Sequence, residues 1–161
     1  MIVLLKEDLH DQAGMEHAFQ WYFDHVAEDP DCDGTFNVML GCRFESCDHE
    51  SSRLTISLHG AHWMSNPSNM LHGGVTAAVL DMVMGLLCRY CSGGYMTPTI
   101  DMSVSYLRPA PVDKRLMIEA ELTHRGFSVC HAVARMWEEG REGNILANAS
   151  GSYYVTHKPD T

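Results

Sequence analysis

A single aspartate interrupts an otherwise apolar stretch in the middle of the chain. From Leu71 to Tyr90 the sequence reads LHGGVTAAVLDMVMGLLCRY, and Asp81 is the only acidic residue in it. Burying an unpaired carboxylate in an apolar environment costs several kcal/mol, so packing alone would favour a hydrophobic residue here. A structural carboxylate that accepts local hydrogen bonds is the alternative. Asp81 is therefore a candidate general base or nucleophile.

The same stretch begins with His72-Gly73-Gly74, which is typical of a helix entry. The first N–H groups of a helix have no partner within the helix, and the helix dipole favours negative charge at that end. A carbonyl directed at the Gly73 amide would be polarised there, and the oxyanion formed by attack on that carbonyl would be stabilised further. By itself, a His-Gly-Gly turn is a weak motif.

Asp81 and Gly73 are eight positions apart on the predicted helix. At a rise of about 1.5 Å and a rotation of about 100° per residue, Asp81 lies roughly 12 Å beyond Gly73 and well around the helix from its start. One chain therefore cannot bring both groups to one carbonyl. A two-fold dimer with antiparallel helices can, because it places Asp81 of one chain near the Gly73 amide of the other and forms two equal sites.

The hydrophobic pattern predicts the elements that position these residues. Residues 72–90 are apolar on nearly every face, which indicates a buried central helix, and residues 12–26 have the apolar spacing of an amphipathic N-terminal helix. Short connections between the later strands favour antiparallel neighbours. The fold class is therefore α+β, with an antiparallel sheet wrapped around a long central helix. The predicted strands run from Phe36 to Phe44, Leu54 to Trp63, Thr97 to Arg108, Leu116 to His124, Val129 to Trp137, and Ile145 to Val155.

Composition narrows the classes of function. A chain of 161 residues is expected to form a single domain over residues 1–161. Eleven Lys and Arg against 21 Asp and Glu give a formal charge of -10, which disfavours nucleic-acid binding. No apolar run reaches the ~20 residues of a membrane span, and the N-terminus resembles neither a signal nor a transit peptide. We therefore expect a cytoplasmic protein whose six cysteines are reduced thiols.

Metal binding and cysteine chemistry are weaker alternatives. Only Cys88-x2-Cys91 has the tight spacing typical of a zinc site, and both residues fall at the end of the predicted central helix. Free cysteine commonly packs there as a small hydrophobic residue. No cysteine stands at a helix entry with an obvious histidine partner. We predict no metal site and no metal or redox cofactor.

Several motifs occur together at fixed spacings. Asn66-Pro67 lies just before His72-Gly73-Gly74, Asp81 follows nine residues after His72, and Thr99-Ile100-Asp101 precedes SYLRPAP. As a set, these motifs resemble the hotdog-fold acyl-CoA thioesterases of the phenylacetate-pathway type and their relatives in the eukaryotic thioesterase superfamily. The resemblance extends over about residues 66–155. It implies a hotdog fold and hydrolysis of an acyl-CoA thioester to a carboxylic acid and free CoA.

The resemblance also implies a role for each residue of the set. Asp81 would be the general base or the nucleophile, and Gly73 would supply the N–H that polarises the carbonyl. Asn66 and Thr99 would position the lytic water and the reacting carbonyl. His72 would hold the loop or assist the polarisation. Water held between a carboxylate, an amide and a hydroxyl is well placed for attack.

Further residues are implied as substrate contacts, with CoA bound as part of the substrate and not as a cofactor. The assembly implied is a homodimer with shared active sites, or a tetramer built as a dimer of such dimers. The sequence does not identify the acyl group or its length, and it leaves acyl-carrier protein open as an alternative carrier. The implied substrate-binding residues are Gly74, Tyr106, Arg125, Gly126, Phe127 and Ser128.

Two rival functions stay open. A hotdog hydratase or dehydratase would need a carboxylate or histidine placed for proton transfer at carbon, and the set of Asn66, Asp81 and Thr99 argues against it. A non-catalytic acyl-CoA-binding module would use the same pocket without turnover. A panel of acyl-CoA substrates separates these cases.

Overall fold

The protein, described here by a computed structural model over residues 10–157, has three helices and six strands in that range. The strands form one antiparallel sheet in the order β1-β2-β4-β5-β6-β3, and α3 packs against it. This confirms the predicted α+β hotdog architecture. The elements are α1 (Gln12–His25), α2 (Phe36–Leu40), β1 (Arg43–Asp48), β2 (Arg53–His59), α3 (Gly73–Cys91), β3 (Thr99–Tyr106), β4 (Arg115–Arg125), β5 (Val129–Glu138) and β6 (Ile145–Tyr154).

Helix α1 confirms the N-terminal helix predicted for residues 12–26. The Asp11 side chain accepts a hydrogen bond of 2.8 Å from the Gly14 N–H, which satisfies one of the free donors at the helix start. One face of α1 is buried, including Phe19 and Tyr22, and the Phe19 ring lies 5.3 Å from the ring of Tyr90 in α3. The helix is therefore fixed against the C-terminal part of α3.

The strand predicted from Phe36 to Phe44 is wrong. Its first residues form the short helix α2, and β1 begins only at Arg43. Gly41 follows the helix in the left-handed conformation, with φ of 63°, which glycine adopts without steric cost. A short apolar run such as FNVML cannot be assigned to helix or strand from periodicity alone.

The other five strands lie where the sequence predicts them, with shifted ends. The strand predicted from Leu54 to Trp63 ends at His59, and a 3-10 turn at His62–Met64 leads into the loop before α3. The hairpin pairs β4–β5 and β5–β6 are antiparallel neighbours, as predicted. Strand β3 instead crosses to the far end of the sheet and pairs with β6. One long edge of β3 therefore has no neighbouring strand among the described residues.

Helix α3 starts and ends within one residue of the predicted range 72–90. Most of its side chains are buried, and they pack mainly on β4, β5 and β6. By length and composition alone α3 could span a membrane, but its burial is that of the core helix of a globular protein. The prediction of one domain over residues 1–161 includes residues 1–9 and 158–161, outside the described range, and stays a prediction.

Candidate active site

Asp81 is half-buried on α3 and is held by two hydroxyl donors. Thr99 Oγ1, at the first residue of β3, donates to Asp81 Oδ1 at 2.8 Å. The Tyr153 hydroxyl donates to the same oxygen at 3.0 Å. Both bonds fall on Oδ1, and Oδ2 receives none from residues 10–157. The Asp81 carboxylate therefore accepts hydrogen bonds, as the structural alternative expects, and its Oδ2 is left for chemistry.

Tyr153 was missed by the sequence reasoning. It lies on β6 with its side chain fully buried, and burial together with the adjacent Asp81 carboxylate raises its pKa well above the usual value. The Tyr153 hydroxyl therefore keeps its proton and donates it in the bond to Asp81. The alternation of β6 places Tyr153 on the same face as buried Ala147 and Ala149, which is the one signal in the sequence that could have pointed to it.

The start of α3 is organised by His72. Its side chain caps the helix, with Nδ1 accepting a hydrogen bond of 2.9 Å from the Gly74 N–H, so the ring proton must lie on Nε2 when the ring is neutral. The bond links the His72 ring to the first turn of α3, and the two roles expected of His72 stay predictions. The bond occupies the Gly74 amide. Gly73 N–H has no acceptor among the described residues and is the amide that can bind an incoming oxygen.

Tyr106 lies directly against the helix entry. Its hydroxyl donates to the Gly73 carbonyl at 3.0 Å, and two of its ring atoms lie 3.5 and 3.6 Å from the position of a Cβ built on Gly73. Tyr106 and Gly73 both line a cavity of about 500 Å³ that also includes Asn66 and Leu107. The predicted substrate-binding residue Tyr106 is thus on the Gly73 side of the protein.

Asn66 is occupied by its own loop. Its Oδ1 accepts hydrogen bonds from Ser68 N at 2.9 Å and Met70 N at 3.2 Å, an arrangement that stabilises the turn. Asn69 completes this turn with φ of 60°. With its side-chain oxygen so engaged, Asn66 has its NH₂ group left to donate into the Gly73 cavity.

The predicted catalytic residues fall into two separate groups within one chain. Asp81 and Thr99 line a cavity of about 300 Å³, together with the newly found Tyr153. Asn66 and Gly73 line the cavity of about 500 Å³, and neither residue lines the first one. Asn66 and Thr99 therefore cannot position one water from the same chain.

The turn between β4 and β5 holds the remaining predicted contacts. Gly126 is required there, because a Cβ at this position would lie 2.6 Å from the Val129 carbonyl oxygen. Phe127 is 82% exposed and its ring stacks on His157 at a centroid distance of 4.2 Å. Arg125 lines a different cavity, beside His49. The turn therefore presents the exposed ring of Phe127, which the stacking contact with His157 holds in place.

The cysteines show no sign of activation. All six are free thiols, and burial raises the pKa of Cys42 to about 12 and of Cys91 to about 11. Thiols with such pKa values are protonated at neutral pH and are weak nucleophiles. Within residues 10–157, no group of three or more His, Cys, Asp or Glu side chains is arranged to hold a metal ion.

Comparison with known proteins gives concordant matches. A family model described as "Thioesterase superfamily" matches residues 68–144. The medium/long-chain acyl-CoA thioesterase YigI of Escherichia coli strain K12 is 30% identical over 137 residues, covering 74% of this chain and 84% of YigI. Zebrafish thioesterase superfamily member 2 has a TM-score of 0.74 at 19% identity, covering 86% of this chain and 96% of that chain.

A second solved structure has a higher sequence identity. It is a phenylacetic acid degradation-related protein from Ralstonia eutropha JMP134, with a TM-score of 0.70 at 26% identity, covering 83% of this chain and 99% of that chain. The structural matches define the class as hotdog-fold proteins. The sequence matches define the family: the chain belongs to the thioesterase superfamily. Gly73, Asp81 and Thr99 lie within the matched residues 68–144, whereas α1 and α2 lie outside them.

Proposed function

We propose that the protein hydrolyses acyl-CoA thioesters to a carboxylic acid and free CoA, in active sites shared by two copies of the chain. Membership of the thioesterase superfamily and the likeness to an acyl-CoA thioesterase support the reaction class. The observation that carries the proposal is the position of the two groups at opposite ends of β3. Thr99 at one end bonds to Asp81, and Tyr106 at the other end bonds to Gly73.

Antiparallel pairing of β3 with β3 of a second copy would complete the site. Such pairing sets the Thr99 end of one strand beside the Tyr106 end of the other, so Asp81 of one copy approaches Gly73 of the second. Strand β3 lies at the edge of the sheet, and among the described residues only β6 pairs with it. An unpaired strand edge of this length favours association with another chain.

In the proposed reaction, Asp81 Oδ2 accepts a proton from water as the water oxygen attacks the thioester carbonyl carbon. The carbonyl oxygen becomes an oxyanion that accepts a hydrogen bond from Gly73 N–H of the second copy. Collapse of the oxyanion breaks the C–S bond, and the leaving sulfur takes the proton back from Asp81. Direct attack by Asp81, which gives an anhydride that water then hydrolyses, is the alternative route.

The Asp81 cavity supplies a path for the CoA part of the substrate. Met96 lines that cavity, and its carbonyl accepts a hydrogen bond from Thr156 N at 3.1 Å, next to His157. The exposed ring of Phe127, stacked on His157, offers a face on which an adenine base can stack. The proposal therefore places the nucleotide of CoA at the turn 126–128. The reaction needs no metal or redox cofactor.

Release of free thiol from a panel of acyl-CoAs with short, long and aromatic acyl groups tests this function. Thiol release that depends on enzyme concentration supports it. Hydration of an enoyl-CoA without thiol release would favour the hydratase reading. Tight binding of acyl-CoAs without any turnover would favour a non-catalytic binding module.

The shared site is tested by assembly. The active form is expected to be a dimer or a larger species that contains this dimer, because one chain keeps Asp81 and Gly73 in separate cavities. Sedimentation velocity at the concentration used for the activity measurement reports the species present. A monomer with full turnover would exclude the shared site while leaving the reaction itself intact.

A further inference from the structure

The Asp81 cavity extends along α3 away from the reacting carboxylate. Met82, Gly85, Leu86 and Arg89 line it, which carries the cavity from Asp81 about two helical turns, or roughly 12 Å, toward the C-terminal end of α3. Met82 is buried and Leu86 is half-buried in this wall. A channel that begins at a carboxylate and passes the apolar side chains of Met82 and Leu86 before it reaches Arg89 can hold an acyl chain.

The far wall of this cavity comes from the N-terminal helices. Phe36 and Asn37 of α2 and Tyr22 of α1 all line it. Burial raises the pKa of Tyr22 and the nearby Asn37 side chain opposes that shift, so α1 and α2 are neighbours at this wall. All three residues lie outside the part of the chain that the family model matches. The segment that precedes residues 68–144 therefore contributes this wall.

Phe36 is a part of this wall that is also exposed to solvent. Its side chain is 46% exposed, and its ring meets the ring of Trp63 edge-on at a centroid distance of 6.5 Å. Trp63 is 48% exposed and lies beyond Phe36 as further apolar surface. Removing the Phe36 ring would therefore join the cavity to the face of Trp63.

We propose that Phe36, which lines the Asp81 cavity beside Tyr22 and Asn37, sets the length of the acyl chain that the enzyme accepts. This inference rests on the proposed function. The acyl chain runs from the carbonyl at Asp81 along α3 and ends against Phe36. The CoA part leaves the cavity along the wall that Met96 and Thr99 form.

The experiment compares the kcat/KM of wild type, Phe36→Ala and Phe36→Trp on straight-chain acyl-CoAs of four to eighteen carbons. Phe36→Ala is expected to move the optimum to longer chains, with roughly a tenfold gain for a substrate two methylenes beyond the wild-type optimum, as expected when two more CH₂ groups are buried. Phe36→Trp is expected to move the optimum to shorter chains. Activity on the shortest substrate is expected to change less than about threefold in both variants, because such a chain does not reach the wall.

Met39→Ala is the matched control. Met39 lies on the same short helix, is 52% exposed and does not line the cavity, so its removal is expected to leave the chain-length profile unchanged. Thermal unfolding of each variant checks that α2 is still folded, and the half-exposed position of Phe36 favours this. The Phe36→Trp variant keeps an aromatic ring there and tests the wall even if the alanine variant unfolds.

An unchanged profile in both Phe36 variants would overturn the inference. So would a profile that shifts instead on Leu107→Ala, since Leu107 lines the Gly73 cavity and its effect would place the acyl chain there. Failure of the proposed function looks different, because the wild type would then release no thiol from any acyl-CoA.

Discussion

The two halves of the proposed site hold their reactive groups in opposite ways. At Asp81 the reactive group is a charged side chain in the middle of a helix, and two hydroxyl donors fix one of its oxygens. At Gly73 the reactive group is the backbone N–H at the start of the same helix. The groups next to it have hydrogen-bond partners, whereas this N–H has none among the described residues. His72 occupies the Gly74 amide, and Tyr106 occupies the Gly73 carbonyl.

This difference shows what each half depends on. A carboxylate surrounded by apolar residues needs donors to keep it charged and oriented, so its half-site depends on side chains from β3 and β6. A helix-start amide is created by the backbone itself, so its half-site depends on the cap and on the fold of the loop. Substitutions can therefore remove one group without disturbing the other.

The largest expected effect comes from Asp81→Asn. Asparagine keeps the shape and an oxygen that accepts the bonds from Thr99 and Tyr153, but it can neither take a proton from water nor attack a carbonyl. The kcat is expected to fall by about a hundredfold or more, with little change in substrate affinity. Thermal stability is expected to hold or rise, because a half-buried charge becomes neutral. A folded variant with wild-type turnover would remove Asp81 from the mechanism.

The next effect is expected from Gly73→Pro, which removes the amide hydrogen and adds the carbons of the proline ring beside Tyr106. Gly73 is the first residue of α3, where proline is favoured, and His72 before it has φ of -62° and ψ of 138°, a conformation that proline permits. The variant is thus expected to fold, with kcat lower by about a hundredfold, as for loss of one oxyanion donor. Steady-state kinetics measure the fall in kcat, and a thermal melt shows whether the variant is folded.

Gly73→Ala is the matched control for the proline variant. Its added Cβ would lie 3.5 Å from the Tyr106 ring, an ordinary contact, and its amide hydrogen stays. It is expected to keep more than roughly a third of wild-type kcat. If alanine and proline lower kcat equally, the loss reflects the space at Gly73 and not its N–H group.

Mixing the two inactive variants tests whether the halves come from different copies. In a heterodimer of Asp81→Asn and Gly73→Pro, one of the two sites receives an intact Asp81 from one chain and an intact Gly73 from the other. Co-expression with two affinity tags is therefore expected to restore roughly a quarter of wild-type activity in the unsorted mixture, and about half in the purified heterodimer. No recovery in a purified heterodimer would contradict the shared site.

Most of the fold could be predicted from the sequence because its elements have clear periods. Helix α3 is apolar on nearly every face and β4 alternates buried with partly buried residues, so the sequence locates both to within a residue or two. Helix α2 was misassigned because a run of five residues, four of them apolar, is too short to show a period, and only the position of α2 against α1 and Trp63 distinguishes helix from strand. The pairing of β3 with β6 also depends on tertiary packing.

Only part of the candidate site could be predicted from the sequence. Asp81 and Gly73 stand out by residue type and position. The rise per residue of a helix is enough to show that the two groups are too far apart to act on one carbonyl within one chain. Tyr153 is 72 residues from Asp81 in sequence, and its tyrosine ring looks like any buried aromatic until β6 is laid beside α3. The acyl wall at Phe36 likewise requires a tertiary contact between α2 and α3 that no local pattern encodes.

The smallest expected effects come from a matched pair of tyrosine substitutions, one in each half. Tyr153→Phe removes a buried donor to the Asp81 carboxylate, whereas Tyr106→Phe removes an exposed donor to the Gly73 carbonyl. Tyr153→Phe is expected to lower kcat about tenfold and the free energy of unfolding by about 1 to 2 kcal/mol, because a hydrogen bond to a charged group is lost. Tyr106→Phe is expected to lower kcat about threefold or less and to change the stability by less than about 0.5 kcal/mol, because water can replace an exposed bond. Kinetics with one acyl-CoA measure the kcat of each variant, and denaturant unfolding measures the free energy of unfolding of each. Equal losses in kcat from the two variants would mean that the Gly73 half depends on side chains as much as the Asp81 half does, and the distinction drawn between them would fail.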